Sequence, residues 1–231
     1  MITTPRFIHV HLHKSGGTFV NECLLRFFPH ARQLGYHLPR ALIPPALTDL
    51  PVIGFVRNPW SYYVSWYAFQ SQRRQPNALF RCASANGRLD FNATVRNLLL
   101  LGDENGCLDE LLSLLPDAYT GQGLNLPNFA LAPIRGSGMG FYSFLFRYMY
   151  AGDAEGLFIG RTESLRTDFL RFIEGVGILA SASLRDFVEH EAPRNTSVHG
   201  AFQDYYDAAT ARLVAQRDGS VIEDFGFRFE A

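Results

Sequence analysis

The stretch Phe7–Thr18 reads FIHVHLHKSGGT and decides the fold of the first part of the chain. Its first half, Phe7–Leu12, is short and mostly apolar, which is typical of a buried strand. The paired glycines of HKSGGT predict a turn. From Thr18 the apolar residues recur at helical spacing until Pro29 ends the pattern. The sequence therefore predicts a strand, a glycine loop and a helix in succession.

A second junction of the same kind lies further along the chain. The run Pro51–Val56 (PVIGFV) is apolar and predicts a buried parallel strand. Asn58 is a good N-cap and Pro59 a good first helical residue, so a helix should begin there and continue to about Gln72. Gly54 lies inside this strand, and we interpret it as a site of close packing rather than of chemistry.

A third strand is predicted at Leu157–Gly160, followed by a helix over Glu163–Glu174. Helical spacing recurs from Phe202 to Leu213. Residues 76–155 are too many for an ordinary strand-to-helix connection and contain helical patterns. We therefore expect an α/β fold with a central parallel sheet flanked by helices, formed by residues 1–231 as a single domain with a mostly helical insertion at about 76–155.

The composition limits the classes of function. Of the 231 residues 47% are hydrophobic and 19% charged, which favours a globular core over a disordered chain. The net charge of -1 argues against nucleic acid as a partner. Residues 57–101 nevertheless carry six arginines and one acid, Asp90. This local excess can attract an anionic glycan, serve a nucleotide, or form a solvated face.

The cysteines and the hydropathy pattern bear on location and on metals. Cys23, Cys82 and Cys107 are odd in number and lack CxxC spacing, so we expect a reducing, cytoplasmic location. No cluster of His, Cys or Asp has the spacing of metal ligands, and no metal is implied. No apolar run approaches the roughly 18 residues of a membrane span, so we expect no transmembrane segment.

Lys14 is the only lysine among 21 basic residues, and it lies in the glycine loop. A loop that precedes a helix is a natural anion site, because the unpaired N–H groups and the helix dipole both favour negative charge. The nucleoside triphosphatase motif GxxxxGK[ST] would need glycines at positions 13 and 8, which are His13 and Ile8. The dinucleotide motif GxGxxG is absent from this loop as well.

Two motifs together resemble a known family. HKSGGT resembles the phosphosulfate-binding loop of the sulfotransferases, and GFVRNPWSYYVSW places Ser65 eight residues after Arg57, as in that family. The closing segments IGRTESLRTDF, APRNTSVHGAFQDYYD and IEDFGF are similar too, and the carbohydrate and heparan-type branch is the most similar. The likeness covers about residues 8–75 and 157–229. His13 stands where proline is usual, and Ser15 where threonine is usual.

The resemblance implies a P-loop-like sulfotransferase fold and the sulfuryl donor 3′-phosphoadenosine 5′-phosphosulfate (PAPS). It implies that Lys14 stabilises the charge on the leaving phosphate, a role that suits a compact ammonium. Arg57 and Ser65 would hold the 3′-phosphate, and Arg194 would contact the nucleotide from a closing loop. The 5′-phosphate would be held by the glycine loop, at Ser15, Gly16, Gly17 and Thr18.

The acceptor would be a hydroxyl of a glycan or a similar molecule, and its proton needs a base. Histidine is suited to this role when neutral. We predict His37, in GYHLP, because heparan 2-O-type relatives use a histidine in a comparable stretch. Other carbohydrate sulfotransferases use glutamate, and a histidine that merely binds a nearby carbonyl is the competing interpretation.

Two other classes of function remain open. One is a P-loop-type kinase, which would use ATP and Mg²⁺ and which the failed motif register disfavours. The other is a nucleotide-binding module without catalysis, which would keep Arg57 and Ser65 but lack a working base near Lys14. Comparing adenosine 3′,5′-bisphosphate with ADP and ATP distinguishes the kinase from the sulfotransferase.

Overall fold

The computed structural model describes residues 1–104, 106–192 and 199–230. The chain forms two compact units, which are described separately. The first unit comprises Met1–Arg57 and Met149–Thr196, and the second comprises Asn58–Tyr148 and Ser197–Ala231. The organisation as a single domain with an insertion stays a prediction.

Among the described residues the strands all lie in the first unit, and they are β1 (Ile2–Thr3), β2 (Ile8–His9), β3 (Arg32–Gln33), β4 (Val52–Val56) and β5 (Leu157–Arg161). The α-helices are α1 (Gly17–Phe27), α2 (Pro59–Ser71), α3 (Ala78–Ala83), α4 (Phe91–Leu99), α5 (Leu108–Leu114), α6 (Asn128–Leu131), α7 (Phe141–Tyr150), α8 (Leu165–Gly175), α9 (Ala182–His190), α10 (Ala208–Arg217) and α11 (Gly219–Phe225). Short 3₁₀ helices are found at Arg40–Leu42, Pro45–Leu47, Ala132–Ile134, Thr162–Ser164 and Phe202–Tyr205. Within the described ranges, no helix is both long enough and apolar enough to span a bilayer.

The five strands form one sheet in the order β3-β1-β2-β4-β5. β2, β4 and β5 are parallel, with Ile8 opposite Val52 and Val52 opposite Leu157. β1 is antiparallel to both β2 and β3. A tight turn, in which the Thr4 N–H donates to the Phe7 carbonyl at 2.9 Å, returns the chain beside β1. The predicted α/β fold is confirmed, and the antiparallel strands extend its parallel centre.

The sheet of the first unit is covered by helices on the face that contains Ile53 and Phe55. Their partners in the core come from α1, α8 and α9 and include Phe19, Leu24, Phe169, Phe172 and Phe187. Gly54 points to the opposite face, where an added Cβ would lie 2.2 Å from the Tyr150 ring. The interpretation of Gly54 as a close-packing position is confirmed.

The second unit begins with α2, and its start agrees with the prediction. The Asn58 side chain accepts hydrogen bonds from the Trp60 N–H at 3.0 Å and the Ser61 N–H at 3.5 Å, and Pro59 is the first helical residue. Over residues 202–213 the structure has a 3₁₀ helix and then α10 rather than one helix. The Asp207 side chain caps α10 and sets that boundary.

The second unit also buries a carboxyl group. Asp218 accepts hydrogen bonds from the Tyr63 hydroxyl and the Ser143 N–H, each at 2.8 Å. Burial raises the pKa of Asp218 to about 6. This carboxyl therefore joins residues of α2 and α7 to the start of α11.

Candidate functional site

The loop between β2 and α1 has an unusual backbone. Lys14 has φ of 56° and Gly16, the N-cap of α1, has φ of 77°, so both lie in the left-handed region. This region is accessible to glycine at no steric cost, but lysine adopts it rarely. Strained residues that are not glycine concentrate at functional sites. Lys14 is therefore held in a specific conformation by its surroundings.

The two glycines of the loop permit close contacts. A Cβ at Gly16 would lie 2.1 Å from Leu165 Cδ1, and a Cβ at Gly17 would lie 1.9 Å from His11 Cδ2. Gly17 is the first residue of α1, where helical N–H groups have no partner within the helix. The loop thus places the positive end of the α1 dipole at the carboxyl end of β2.

Arg57 and Lys14 meet at the carboxyl ends of β2 and β4. β2 and β4 are parallel neighbours, so the residues that follow them lie at the same end of the sheet. Arg57 Nη1 donates to the Lys14 carbonyl at 3.2 Å. Burial, together with the nearby Arg57 charge, lowers the pKa of Lys14 to about 8. Two cations beside a helix N-terminus form an arrangement that favours a multiply charged anion.

The other predicted nucleotide contacts occupy three places. The Ser15 hydroxyl is buried and donates to the His13 carbonyl at 3.3 Å, and Thr18 is half-buried in the first turn of α1. Ser65 lies in the second unit, on the buried side of α2. Arg194 lies outside the described residues. The first unit therefore brings the whole HKSGGT loop together with Arg57.

His37 also lies beside the glycine loop. Its Nδ1–H donates to the His11 carbonyl at 2.9 Å, which is the contact expected from the competing interpretation. That bond uses only Nδ1, so in the neutral ring Nε2 is a proton acceptor. The His37 ring stacks on the His13 ring, with centroids 3.5 Å apart and planes inclined by 15°. The geometry is thus compatible with a base.

Two more histidines and one amide complete what we call the histidine cluster: His9, His11, His13, His37 and Asn21. Asn21 Oδ1 accepts from His9 Nδ1–H at 3.0 Å, and Asn21 Nδ2 donates to His11 Nδ1 at 3.3 Å. Burial lowers the pKa of His9 to about 3 and holds the pKa values of His11 and His37 well below their usual range. These three rings are therefore neutral at pH 7. No motif or spacing in the sequence marks Asn21 as a member of this cluster.

Two hydroxyl groups hold the end of β4 in place. The Tyr150 hydroxyl accepts from the Phe55 N–H at 3.0 Å, and its own hydrogen is within donating distance of the Phe55 carbonyl at 3.2 Å and the Val10 carbonyl at 3.3 Å. The Thr162 hydroxyl donates to the Val56 carbonyl at 3.0 Å, one residue before Arg57. These contacts fix the segments that lead into the loop and into Arg57.

The second unit contains an open cavity of about 300 Å³. Its lining is aromatic and polar and consists of Tyr67, Ser71, Pro76, Phe80, Arg81, Asn86 and Gly87. Among the residues that the structure describes, the exposed Arg81 guanidinium has no ion-pair or hydrogen-bond partner. Residues 67–90 carry four arginines and one acid. Arg81 is the charged side chain among these lining residues.

A metal ion has no evident place in the described part of the chain. No group of three or more His, Cys, Asp or Glu side chains within it could hold one. The four histidines of the cluster contact one another through ring faces and the Asn21 amide.

Comparisons with known proteins support the fold. No protein-family model matches the chain, and no curated protein sequence matches it. Chains of solved structures do match, among them the mouse sulfotransferase SULT7A1 in complex with PAP. That structure has a TM-score of 0.53 and 13% sequence identity, over 95% of this chain and 88% of the other. At this identity the similarity establishes the fold alone, which is that of a sulfotransferase.

Proposed function

We propose that the chain transfers a sulfuryl group from PAPS to a hydroxyl of a carbohydrate or similar acceptor. The observation that carries the proposal is the meeting of Lys14 and Arg57 beside the N-terminus of α1. Each residue follows one of two parallel neighbouring strands, where ligands of α/β sheets bind. The sulfotransferase fold and the PAP bound in the SULT7A1 structure support the same conclusion.

Each residue of the loop has a role in this proposal. Lys14 stabilises the charge that develops on the bridging oxygen as the bond from sulfur to the phosphate oxygen breaks. The N–H groups of Ser15, Gly16, Gly17 and Thr18 hold the 5′-phosphate. Arg57, with Ser65 at the family spacing, holds the 3′-phosphate through charge-assisted hydrogen bonds. Arg194 contacts the nucleotide.

His37 acts as the general base. Its Nε2 accepts the proton of the acceptor hydroxyl while the hydroxyl oxygen forms the new bond to sulfur. The bond from Nδ1–H to the His11 carbonyl fixes the tautomer that leaves Nε2 unprotonated. Because burial keeps the ring neutral, His37 is ready to accept a proton at neutral pH.

The acceptor in this proposal is a glycan or a similar molecule, and the arginine excess of residues 57–101 would attract acidic groups on it. Arg81, which is exposed, is one of these arginines and would pair with a carboxylate or sulfate. We expect Arg81→Ala to raise the KM for a sulfated oligosaccharide about tenfold, from the loss of one charge-assisted contact. Arg185→Ala, which removes an exposed arginine paired with Glu174, is the matched control. Equal KM values in both variants would contradict the assignment.

Ligand-dependent melting separates the proposed function from the alternatives. A hundredfold excess of adenosine 3′,5′-bisphosphate over its Kd should add about 2.7 kcal/mol of stability. For a chain of this size that raises the Tm by roughly 5–10 °C. Equal or larger shifts with ADP, or with ATP and Mg²⁺, would favour a kinase. Binding of the bisphosphate without sulfuryl transfer to any acceptor would favour the non-catalytic module.

Three substitutions test the individual roles. Arg57→Ala should weaken adenosine 3′,5′-bisphosphate by roughly 10- to 100-fold, but leave adenosine 5′-phosphosulfate, which lacks the 3′-phosphate, nearly unchanged. Ser65→Ala should act in the same direction with a smaller effect, and Ser61→Ala in the same helix is its control. Lys14→Ala should lower turnover by about 10²–10³-fold. If Arg57→Ala weakens both ligands equally, the 3′-phosphate assignment is wrong.

A further inference from the structure

His37 needs support from other side chains, because its own backbone is irregular. It lies in a turn after β3, with φ of 50°. A residue that is not glycine rarely adopts this conformation, and it persists only where its surroundings determine it. The hydrogen bond from Nδ1–H to the His11 carbonyl fixes one edge of the ring but permits the ring to tilt about that bond. A second contact is required to fix the ring plane.

We infer that His13 is the positioning residue that supplies this contact, by stacking its imidazole face to face on that of His37. The two rings are nearly parallel, at 15°, with centroids 3.5 Å apart. Together, the stack and the Nδ1 hydrogen bond fix both the plane of the His37 ring and its rotation within that plane. Nε2 is then the one ring nitrogen left to accept a proton, since it has no hydrogen-bond partner among the described residues.

The position of His13 in the chain gives the stack a second consequence. His13 directly precedes Lys14, so one short loop positions both the ring that supports His37 and the ammonium of Lys14. In the family that the loop resembles, position 13 is commonly proline, which offers no flat aromatic face. The inference is therefore specific to this chain, and its catalytic part rests on the proposed function.

The charges around His37 favour a neutral stack. His13 and His11 contact its ring, at centroid distances of 3.5 Å and 4.4 Å. His9 and the amino terminus also act on it electrostatically, and both disfavour a proton there. The Tyr36 ring lies 5.9 Å away. A proton on one of two stacked rings disfavours a proton on the other, because like charges would be brought together.

The test compares two substitutions at position 13. His13→Phe keeps a flat ring but carries no titratable group, whereas His13→Leu fills the site without a ring. His190→Ala removes an exposed histidine of α9 and is the control. The first measurement is the tautomer and titration of His37 by ¹⁵N NMR, with the signal assigned by its loss in His37→Gln. This readout does not depend on sulfuryl transfer.

We expect the wild type, His13→Phe and His190→Ala to show only the Nδ1–H tautomer of His37 at pH 7. His13→Leu should show both tautomers, because a ring that is free to tilt no longer keeps its Nδ1–H on the His11 carbonyl. In turnover assays His13→Leu should lower kcat about tenfold. His13→Phe should restore kcat to within about twofold of wild type.

Each failure has a separate meaning. A His37 tautomer that is unchanged in His13→Leu would overturn the positioning role, whatever the turnover. Loss of the Nδ1–H tautomer in His13→Phe as well would overturn it too, because a flat ring alone should be sufficient. If the tautomers change as expected but the wild type transfers no sulfuryl group to any acceptor, the proposed function fails and the stacking role stands.

Discussion

Binding of adenosine 3′,5′-bisphosphate should weaken as the pH rises through about 8, because the proposed function places the ligand beside a protonated Lys14. In the protein without ligand, burial and the Arg57 charge lower the pKa of Lys14 to about 8. An anion beside the ammonium favours its charged form and so raises the pKa in the complex. A group whose pKa rises on binding makes its full contribution to the binding free energy below the pKa that it has in the free protein. This contribution is lost as the pH rises from that value toward the pKa in the complex.

The magnitude follows from the fraction of Lys14 that carries its proton before binding. With a pKa of about 8, that fraction is about nine-tenths at pH 7 and about 3% at pH 9.5. The Kd should therefore increase about 30-fold between these pH values. At pH 8.5 each binding event should take up about 0.8 proton. Phosphate groups lose their last proton near pH 6, so the ligand itself contributes little above pH 7.

Titration calorimetry in two buffers of different ionisation enthalpy measures both the Kd and the proton uptake. Lys14→Arg is the matched variant, because a guanidinium stays protonated throughout this range. It should bind with a nearly constant Kd from pH 7 to 9.5 and take up no proton. The reasoning would be refuted by a wild-type protein that takes up no proton at pH 8.5, or by the same pH dependence in Lys14→Arg.

Two further predictions concern stability and are measured by urea denaturation. Gly54→Ala should lower the free energy of unfolding by about 1–3 kcal/mol, because its Cβ would lie 2.2 Å from the Tyr150 ring. Gly175→Ala, where an added Cβ meets nothing within 4 Å, is the control, and an equal effect of both would contradict the packing. Burial raises the pKa of Asp218 to about 6 from its ordinary 3.8. The protonated carboxyl therefore makes its full contribution to the free energy of unfolding below pH 3.8, and this contribution is lost as the pH rises through 6. The difference between wild type and Asp218→Asn should therefore fall by about 3 kcal/mol from pH 3.5 to 7, whereas parallel curves would contradict the burial of this carboxyl.

Local signals made the second junction predictable from the sequence. Asn58 and Pro59 specify a helix start through side-chain capping and a fixed φ, and both act within a few residues. The helix ends at Ser71, close to the predicted Gln72. β5 likewise spans Leu157–Arg161, close to the predicted Leu157–Gly160.

The sheet edge was not predictable in the same way. β1 and β3 have two residues each, too few to show a period, and Arg32 and Gln33 of β3 are exposed and polar. Their pairing depends on main-chain hydrogen bonds to a distant part of the chain. β2 is shorter than the predicted Phe7–Leu12, although the Val10 N–H still donates to the Ile53 carbonyl at 2.9 Å.

The candidate site was predictable only in part. The HKSGGT loop and Arg57 carry motifs, and the structure brings them together. The contacts of His37 with His11 and His13 join positions more than twenty residues apart, across a helix and two turns. No periodicity encodes such contacts, and they arise when the first unit folds. The roles of the site residues, Ser65 and Arg194 included, stay predictions.

The Asn21 amide contacts its two histidine neighbours through different groups. It presents its oxygen to His9 and its NH₂ group to His11, so the two neighbours are bound by opposite chemistry. Because the amide nitrogen has no lone pair for a proton, a proton that reaches His11 cannot pass through Asn21 to His9. The Asn21 amide therefore keeps the two ring nitrogens that it contacts in different protonation states. Nδ1 of His9 carries a hydrogen, and Nδ1 of His11 does not.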